Sequence, residues 1–183
     1  TPMNPTTPYG IGKVAAHHFV KMYREMYGIF ACTGILFNHE SPRRDEIFLP
    51  RKITKAAANI KLGRQEKLLL GDIESKRDWA YAGDVVESMW LMLQQNEPDD
   101  YVIGSNELHS IKELLEIAFG YLGLNWHDYV VQDRGLLRKI DYVNLCADTR
   151  RAKEKLGWEP KVGFRELIEQ MVQNDLEMET END

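Results

Sequence analysis

A nearly unbroken apolar run at 29–37 ends abruptly in Asn38-His39-Glu40-Ser41-Pro42-Arg43-Arg44. A run so short and so apolar fits a strand buried on both faces, the situation of strands in a parallel sheet covered by helices. The polar cluster then falls just past the strand's carboxyl end, where open α/β sheets bind their ligands. The rest of the chain supplies matching elements. Helical periodicity is seen at 9–27, 47–62, 111–122 and from Phe164 through Asp175, and short strand-like segments at 67–70, 101–103 and 126–132. Asp84 is placed to cap a helix running to Gln95, and Asp148 or Thr149 one running to Leu156. Ser110-Ile111-Lys112-Glu113 has the capping-box pattern, and Gly28 and Gly157 stand where helices stop. The expected class is α/β.

The 183 residues are enough for one domain, or for a core with a small lobe. Charged residues make up 28% of the chain and its formal charge is −6, which speaks against a nucleic-acid surface, and no long apolar run suggests a membrane span. A cytoplasmic protein is expected. Cys32 and Cys146 lie in apolar segments without a C-x-x-C partner and read as buried free thiols. Adjacent His17 and His18 diverge by ~100° on a helix, and His109 and His127 lack clustered ligands, so no metal site is expected.

Before the apolar run lies Pro8-Tyr9-Gly10-Ile11-Gly12-Lys13. Four-residue spacing places Tyr9 and Lys13 on one helical face, an ammonium one turn from a phenol. A phenol with a pKa near ~10 is a poor base at neutral pH, and a nearby cation favours its ionised form. Tyr9 could then take a proton from a sugar hydroxyl. The spacing alone also fits a chance pair on a surface helix. Farther along this helix, Ile11, Val14, Ala15, His18, Met22 and Met26 trace a face that reads as core or subunit contact, with His18 packed or hydrogen-bonded.

Thr7-Pro8-Tyr9-Gly10-x-x-Lys13 resembles the catalytic segment of extended short-chain dehydrogenases/reductases, and the stretch from Gly34 to Arg44 resembles the GDP-mannose 4,6-dehydratases among them. The resemblance spans about residues 5 to 178. It implies the later part of a Rossmann-type doubly wound parallel sheet, with a small α/β substrate-binding lobe from segments about 40–80 and 105–183. It further implies NADP, with NAD possible, a GDP-mannose-type nucleotide sugar, and a homodimer or homotetramer packed through the Tyr9 helix. By this resemblance Tyr9 and Lys13 are catalytic and touch the cofactor, His39 and Arg44 contact NADP, and Asn38, Lys52 and Arg77 contact the substrate.

Each assignment has a plainer alternative. Asn38 could make a turn with Arg43 and Arg44 solvated, Lys52 could be an exposed lysine, and Arg77 with Asp78 could be a surface pair over a packed Trp79. Arg138 and Asp141 are implied at nucleotide phosphate and ribose. Here the chain departs from the family pattern: Lys139 replaces a proline, Asp141 a glutamate, and Ala147 the glycine before Asp148, so base selection is expected to be open to change.

No G-x-x-G-x-x-G turn between a strand and a helix occurs in the sequence, nor do the upstream Ser/Thr and acid that accompany the Tyr in dehydratases. The expectation is therefore the C-terminal portion of such an enzyme, inactive by itself. The competing expectations are a related epimerase or 4-keto reductase, and a non-catalytic nucleotide-sugar-binding or dimerisation remnant.

Overall fold

The computed structural model describes residues 1–136 and 144–181. Its elements run α1 (Pro8–Tyr27), β1 (Thr33–Leu36), β2 (Asn38–Glu40), α2 (Leu49–Lys61), β3 (Leu68–Leu70), β4 (Lys76–Arg77), β5 (Trp79–Tyr81) and α3 (Ala82–Met92). There follow β6 (Asp100–Ile103), β7 (His109–Ser110), α4 (Ile111–Tyr121), β8 (Val130–Gln132), α5 (Arg150–Leu156) and α6 (Phe164–Glu181). Among the described residues the strands pair two by two: β1 with β6, β2 with β5 and β3 with β8 in parallel, and β4 with β7 antiparallel. Parallel pairs need crossovers, and helices supply them here, as expected for an α/β chain.

Local chemistry sets many boundaries. Thr7 starts α1 by accepting a hydrogen bond from Gly10 N at 3.0 Å, with Pro8 preset at the first position. At α4 the capping box is complete: Ser110 Oγ accepts from Glu113 N at 3.1 Å, and Glu113 accepts from Ser110 N at 2.5 Å. Gly28 and Gly157 end α1 and α5 in the left-handed conformation, at φ 63° and 65°.

Two apolar clusters hold the elements together. The larger joins α2, α4 and α6 to Leu68, Leu70 and Trp79, with Leu114, Phe119, Leu167, Ile168 and Met171 fully buried. Each such side chain contributes about 1.5–3 kcal/mol relative to exposure. The smaller gathers Val85, Met92, Tyr101, Ile103, Ala152, Leu156 and Trp158.

Several expectations need correction. Among the described residues the apolar run is a strand only at Thr33–Leu36, and there it pairs with β6 alone; Ile29, Phe30 and Ile35 are exposed. No residue of α1 is buried, so its apolar face is not core: Ile11 and Met26 are exposed, and so is His18. Asp84 does not cap α3, which follows Tyr81 directly and ends at Met92. Its carboxylate instead accepts from the backbone N–H groups of Lys161 and Val162 at 2.8 and 3.0 Å. That bond draws the approach to α6 against α3, a long-range demand invisible in the local pattern. Residues 126–128 form a 3₁₀ turn, so the strand begins only at Val130. Thr149 occupies the α5 cap position without a side-chain bond, while Asp148 accepts from Arg150 N at 3.2 Å. Cys146 is exposed and Cys32 half-buried, so neither is a buried thiol.

Candidate active site

Tyr9 and Lys13 lie one turn apart on α1, the Lys13 ammonium 5.4 Å from the centre of the Tyr9 ring. Tyr9 is 75% exposed. The groups that anchor α1 are at its other end. Arg24 donates to Ala31 O at 2.7 Å and to Asp100 at 2.6 Å, and His17 approaches the same carboxylate at 4.0 Å. Arg24 is foremost among the partners that hold Asp100 below the usual carboxylate range against the opposing effect of desolvation. Tyr9 and Lys13 thus stand towards the far end of a helix held from His17 and Arg24, with the Tyr9 phenol outward.

The parallel pairing of β2 with β5 brings the second group of residues together. Asn38 lies opposite Trp79 and His39 opposite Ala80, so Asn38 sits beside the start of the strand that follows Arg77 and Asp78. Asn38 is exposed and part of β2, not of a turn. The His39 ring is fixed by Nδ1 against Phe37 O at 3.0 Å. Lys52 extends from α2 to donate to Leu69 O on β3 at 3.1 Å. Arg138 and Asp141 lie outside the described residues. Arg77 Nη1 donates to Lys76 O at 2.6 Å.

Arg44 is a placed cation rather than a solvated one. Its Nε lies 3.2 Å from Glu40 Oε2, and its guanidinium stacks 3.5 Å from the centre of the Phe48 ring. Glu40 is 2% exposed, and burial pushes its carboxyl up to about 7, with Arg44 pulling the other way. The bare spacing of Glu40 and Arg44, with a proline between, gave no warning of a buried pair.

Asp78 was also missed as an organising group. It is buried, and its carboxylate accepts from Ser105 N at 2.6 Å, Ser105 Oγ at 2.7 Å, Asn106 N at 3.0 Å and Ala147 N at 2.9 Å. A carboxylate with that many directed donors is a rigid joint. It ties the β4–β5 junction that bears Arg77 to the loop after β6 and to the segment following 143. Trp79 packs inside, stacked on Phe164 at 5.5 Å. The surface-pair alternative is thereby excluded for Asp78.

A groove of about 650 Å³ lies between α4 and α6, lined by Glu107, His109, Glu113, Glu116, Phe164 and Glu169 among others. Carboxylates predominate along its walls, beside His109 and Arg165.

The chain matches the family model described as GDP-mannose 4,6 dehydratase over residues 1–171. It belongs to the GDP-mannose 4,6-dehydratase family. GDP-mannose 4,6 dehydratase 1 of Arabidopsis thaliana is 56% identical over 97% of this chain, and the human GDP-mannose 4,6 dehydratase is 42% identical over 97%. The chain spans about half the length of these dehydratases, 49% and 52%. Among solved structures, the fold is similar to RMD from Pseudomonas aeruginosa complexed with NADPH, at TM-score 0.88 and 22% identity over 96% of this chain and 58% of that one. It also resembles UDP-glucose 4-epimerase from Thermotoga maritima with UDP-glucose, at TM-score 0.80 and 26% identity over 97% and 55%. The α/β class with parallel pairing, expected for a dehydratase of this family, is therefore the fold of its structural neighbours as well.

Proposed function

We propose that this chain is a portion of a GDP-mannose 4,6-dehydratase, the whole of which uses NADP to convert GDP-mannose to its 4-keto-6-deoxy product. The observation that carries the reading is the Tyr9–Lys13 pair, outward on a helix, in a chain 56% identical to a dehydratase of that name. In this reading Tyr9 is the group that takes the proton of the sugar 4-hydroxyl, and Lys13 supports it and the nicotinamide ribose. NADP, held by Lys13, His39 and Arg44, would supply the hydride acceptor and donor for an internal oxidation and reduction that leaves the cofactor unchanged overall. His39 and Arg44 flank the cofactor, whereas Asn38, Lys52, Arg77, Arg138 and Asp141 face the nucleotide sugar. Arg44 suits a phosphate because its guanidinium offers a planar fork of donors, already oriented by Glu40 and Phe48.

A Gly-rich turn for the pyrophosphate and an acid for the C5 proton are further parts that this reaction requires. The substrate lobe is assigned to the segments about 40–80 and 105–183, which include α2, α4 and α6. The exposed apolar face of α1, with Ile11, Phe19, Tyr23 and Met26, is the contact of a dimer or tetramer in the cytoplasm. Among the described residues no helix is long and apolar enough to cross a membrane.

The test is conversion of GDP-mannose with added NADP, by the complete polypeptide and by residues 1–183 alone. Turnover is expected from the first and none from the second. Epimerisation or reduction without dehydration would replace the reading with the related-enzyme alternative. GDP binding with no NADP binding by the complete polypeptide would leave a non-catalytic binding protein.

A further inference from the structure

A carboxylate interrupts the apolar stripe of α6. Phe164, Leu167, Ile168, Met171 and Val172 face the core, and the next position on that face is Asp175, 1% exposed. Packing alone would be served as well by a leucine, and a buried charge is costly unless it is paired. Asp175 has two partners, both on α2. Its Oδ1 lies 2.6 Å from Arg51 Nε, and its Oδ2 accepts from Thr54 Oγ1 at 2.6 Å.

Arg51 then reaches beyond the helix pair. Its Nη1 donates to Pro42 O and, at 3.1 Å, to Arg44 O. One guanidinium thus holds two carbonyls of the loop after β2, and the side chain of Arg44, whose own carbonyl is held, is stacked on Phe48 and paired with Glu40. The loop closes locally as well, with Arg44 N donating to Ser41 O at 2.9 Å. A continuous set of contacts runs from α6 through α2 to Arg44.

We infer that Asp175 and Arg51 are positioning residues for the dinucleotide site: Asp175 orients Arg51, and Arg51 fixes the 42–44 backbone so that Arg44 is presented to a cofactor phosphate. The inference rests on the reading of Arg44 as a cofactor contact. Asp175 itself touches no ligand. A flexible Arg44 would lose conformational freedom on each binding event, and the bridged loop has lost that freedom already.

The experiment uses the complete dehydratase polypeptide and five variants: Arg44→Ala, Asp175→Asn, Arg51→Lys and the Arg44→Ala/Asp175→Asn and Arg44→Ala/Arg51→Lys doubles. NADP and GDP dissociation constants are measured by calorimetry, with thermal melts alongside. Asp175→Asn and Arg51→Lys are expected to weaken NADP by roughly 10-fold, as for loss of an oriented charged hydrogen bond, and to leave GDP within about 2-fold. In the Arg44→Ala background, Asp175→Asn is expected to add nothing beyond about 2-fold, because groups that act through one another are non-additive. A general loosening of the fold would instead weaken both ligands and multiply in the double variant, and that result overturns the inference. So does wild-type NADP affinity in both Asp175→Asn and Arg51→Lys while Arg44→Ala is impaired. Should Asp175→Asn fail to fold, Arg51→Lys, with its charge kept and its fork lost, decides by the same comparison in an Arg44→Ala background. Normal NADP binding by Arg44→Ala removes the cofactor role of Arg44 and the inference with it. Loss of NADP affinity in that variant combined with absent dehydration in the wild type overturns the proposed reaction and leaves the positioning intact.

Discussion

The methyl group of Ala147 occupies the space that a side chain on Gly104 would need: a Cβ at Gly104 would lie 2.6 Å from it and 3.0 Å from Asp78 Oδ1. The glycine at 104 leaves room for the Ala147 methyl, and the Asp78 joint closes over both. Gly104→Ala should therefore overpack this junction and destabilise the protein by about 1–3 kcal/mol. Ala147→Gly should cost less than that. Urea unfolding of the pair checks the order, and a neutral Gly104→Ala would show that the junction yields easily.

Removal of the Asp78 carboxylate leaves the N–H groups of Ser105, Asn106 and Ala147 without their acceptor. Asp78→Ala should cost roughly 3 kcal/mol or more, a buried charged acceptor being worth more than a neutral one. The measurement is the shift in denaturation midpoint, with hydrogen exchange at Ser105 and Ala147 locating the damage. Unchanged protection at those amides would contradict the joint.

Glu40 gives a pH signature. Its folded pKa of about 7 lies above the ordinary 4.5, so between those values the folded state binds the proton more tightly than the unfolded chain. Its contribution to stability is greatest at low pH, is lost as pH rises from about 4.5 to 7, and is level above that. Glu40→Gln should remove up to roughly 3 kcal/mol of this dependence and be relatively more stable at pH 8 than at pH 4.5. Stability of the two proteins against pH is the check, and parallel curves would mean that Glu40 keeps an ordinary pKa.

In the complete enzyme Tyr9→Phe removes one oxygen from an exposed side chain, so fold and ligand binding should survive while turnover drops by ~10²-fold or more. Lys13→Met should lower both turnover and NADP affinity. Single-turnover rates with matched binding titrations separate these effects, and near-normal rates in Tyr9→Phe would make the pair structural.

For the substrate, Arg77→Ala should weaken GDP-sugar binding by about 1.5–3 kcal/mol with NADP affinity nearly unchanged. Titration with both ligands tests this, and equal loss of both would point to the fold rather than to the diphosphate.

The sequence by itself determined what depends on neighbours within a turn or two. The one-turn spacing of Tyr9 and Lys13, the complete cap at Ser110 and Glu113, the left-handed stops at Gly28 and Gly157, and the apolar stripe of α6 all follow from local geometry and side-chain chemistry. The residues of the loop from Asn38 to Arg44 likewise stood out, because polarity changes sharply there. Only the tertiary structure decided which charges are buried and what they hold. Asp78 accepts from residues 27 to 69 positions away, Asp84 from residues 77 and 78 positions away, and Asp175 meets Thr54 across 121. A carboxylate's cost or value depends on whether donors converge on it after folding, and periodicity carries no record of donors so distant. The same physics explains the misjudged strand at 29–37 and the exposed apolar face of α1. Hydrophobicity says that a segment can be buried, whereas the elements actually packed against it decide whether it is.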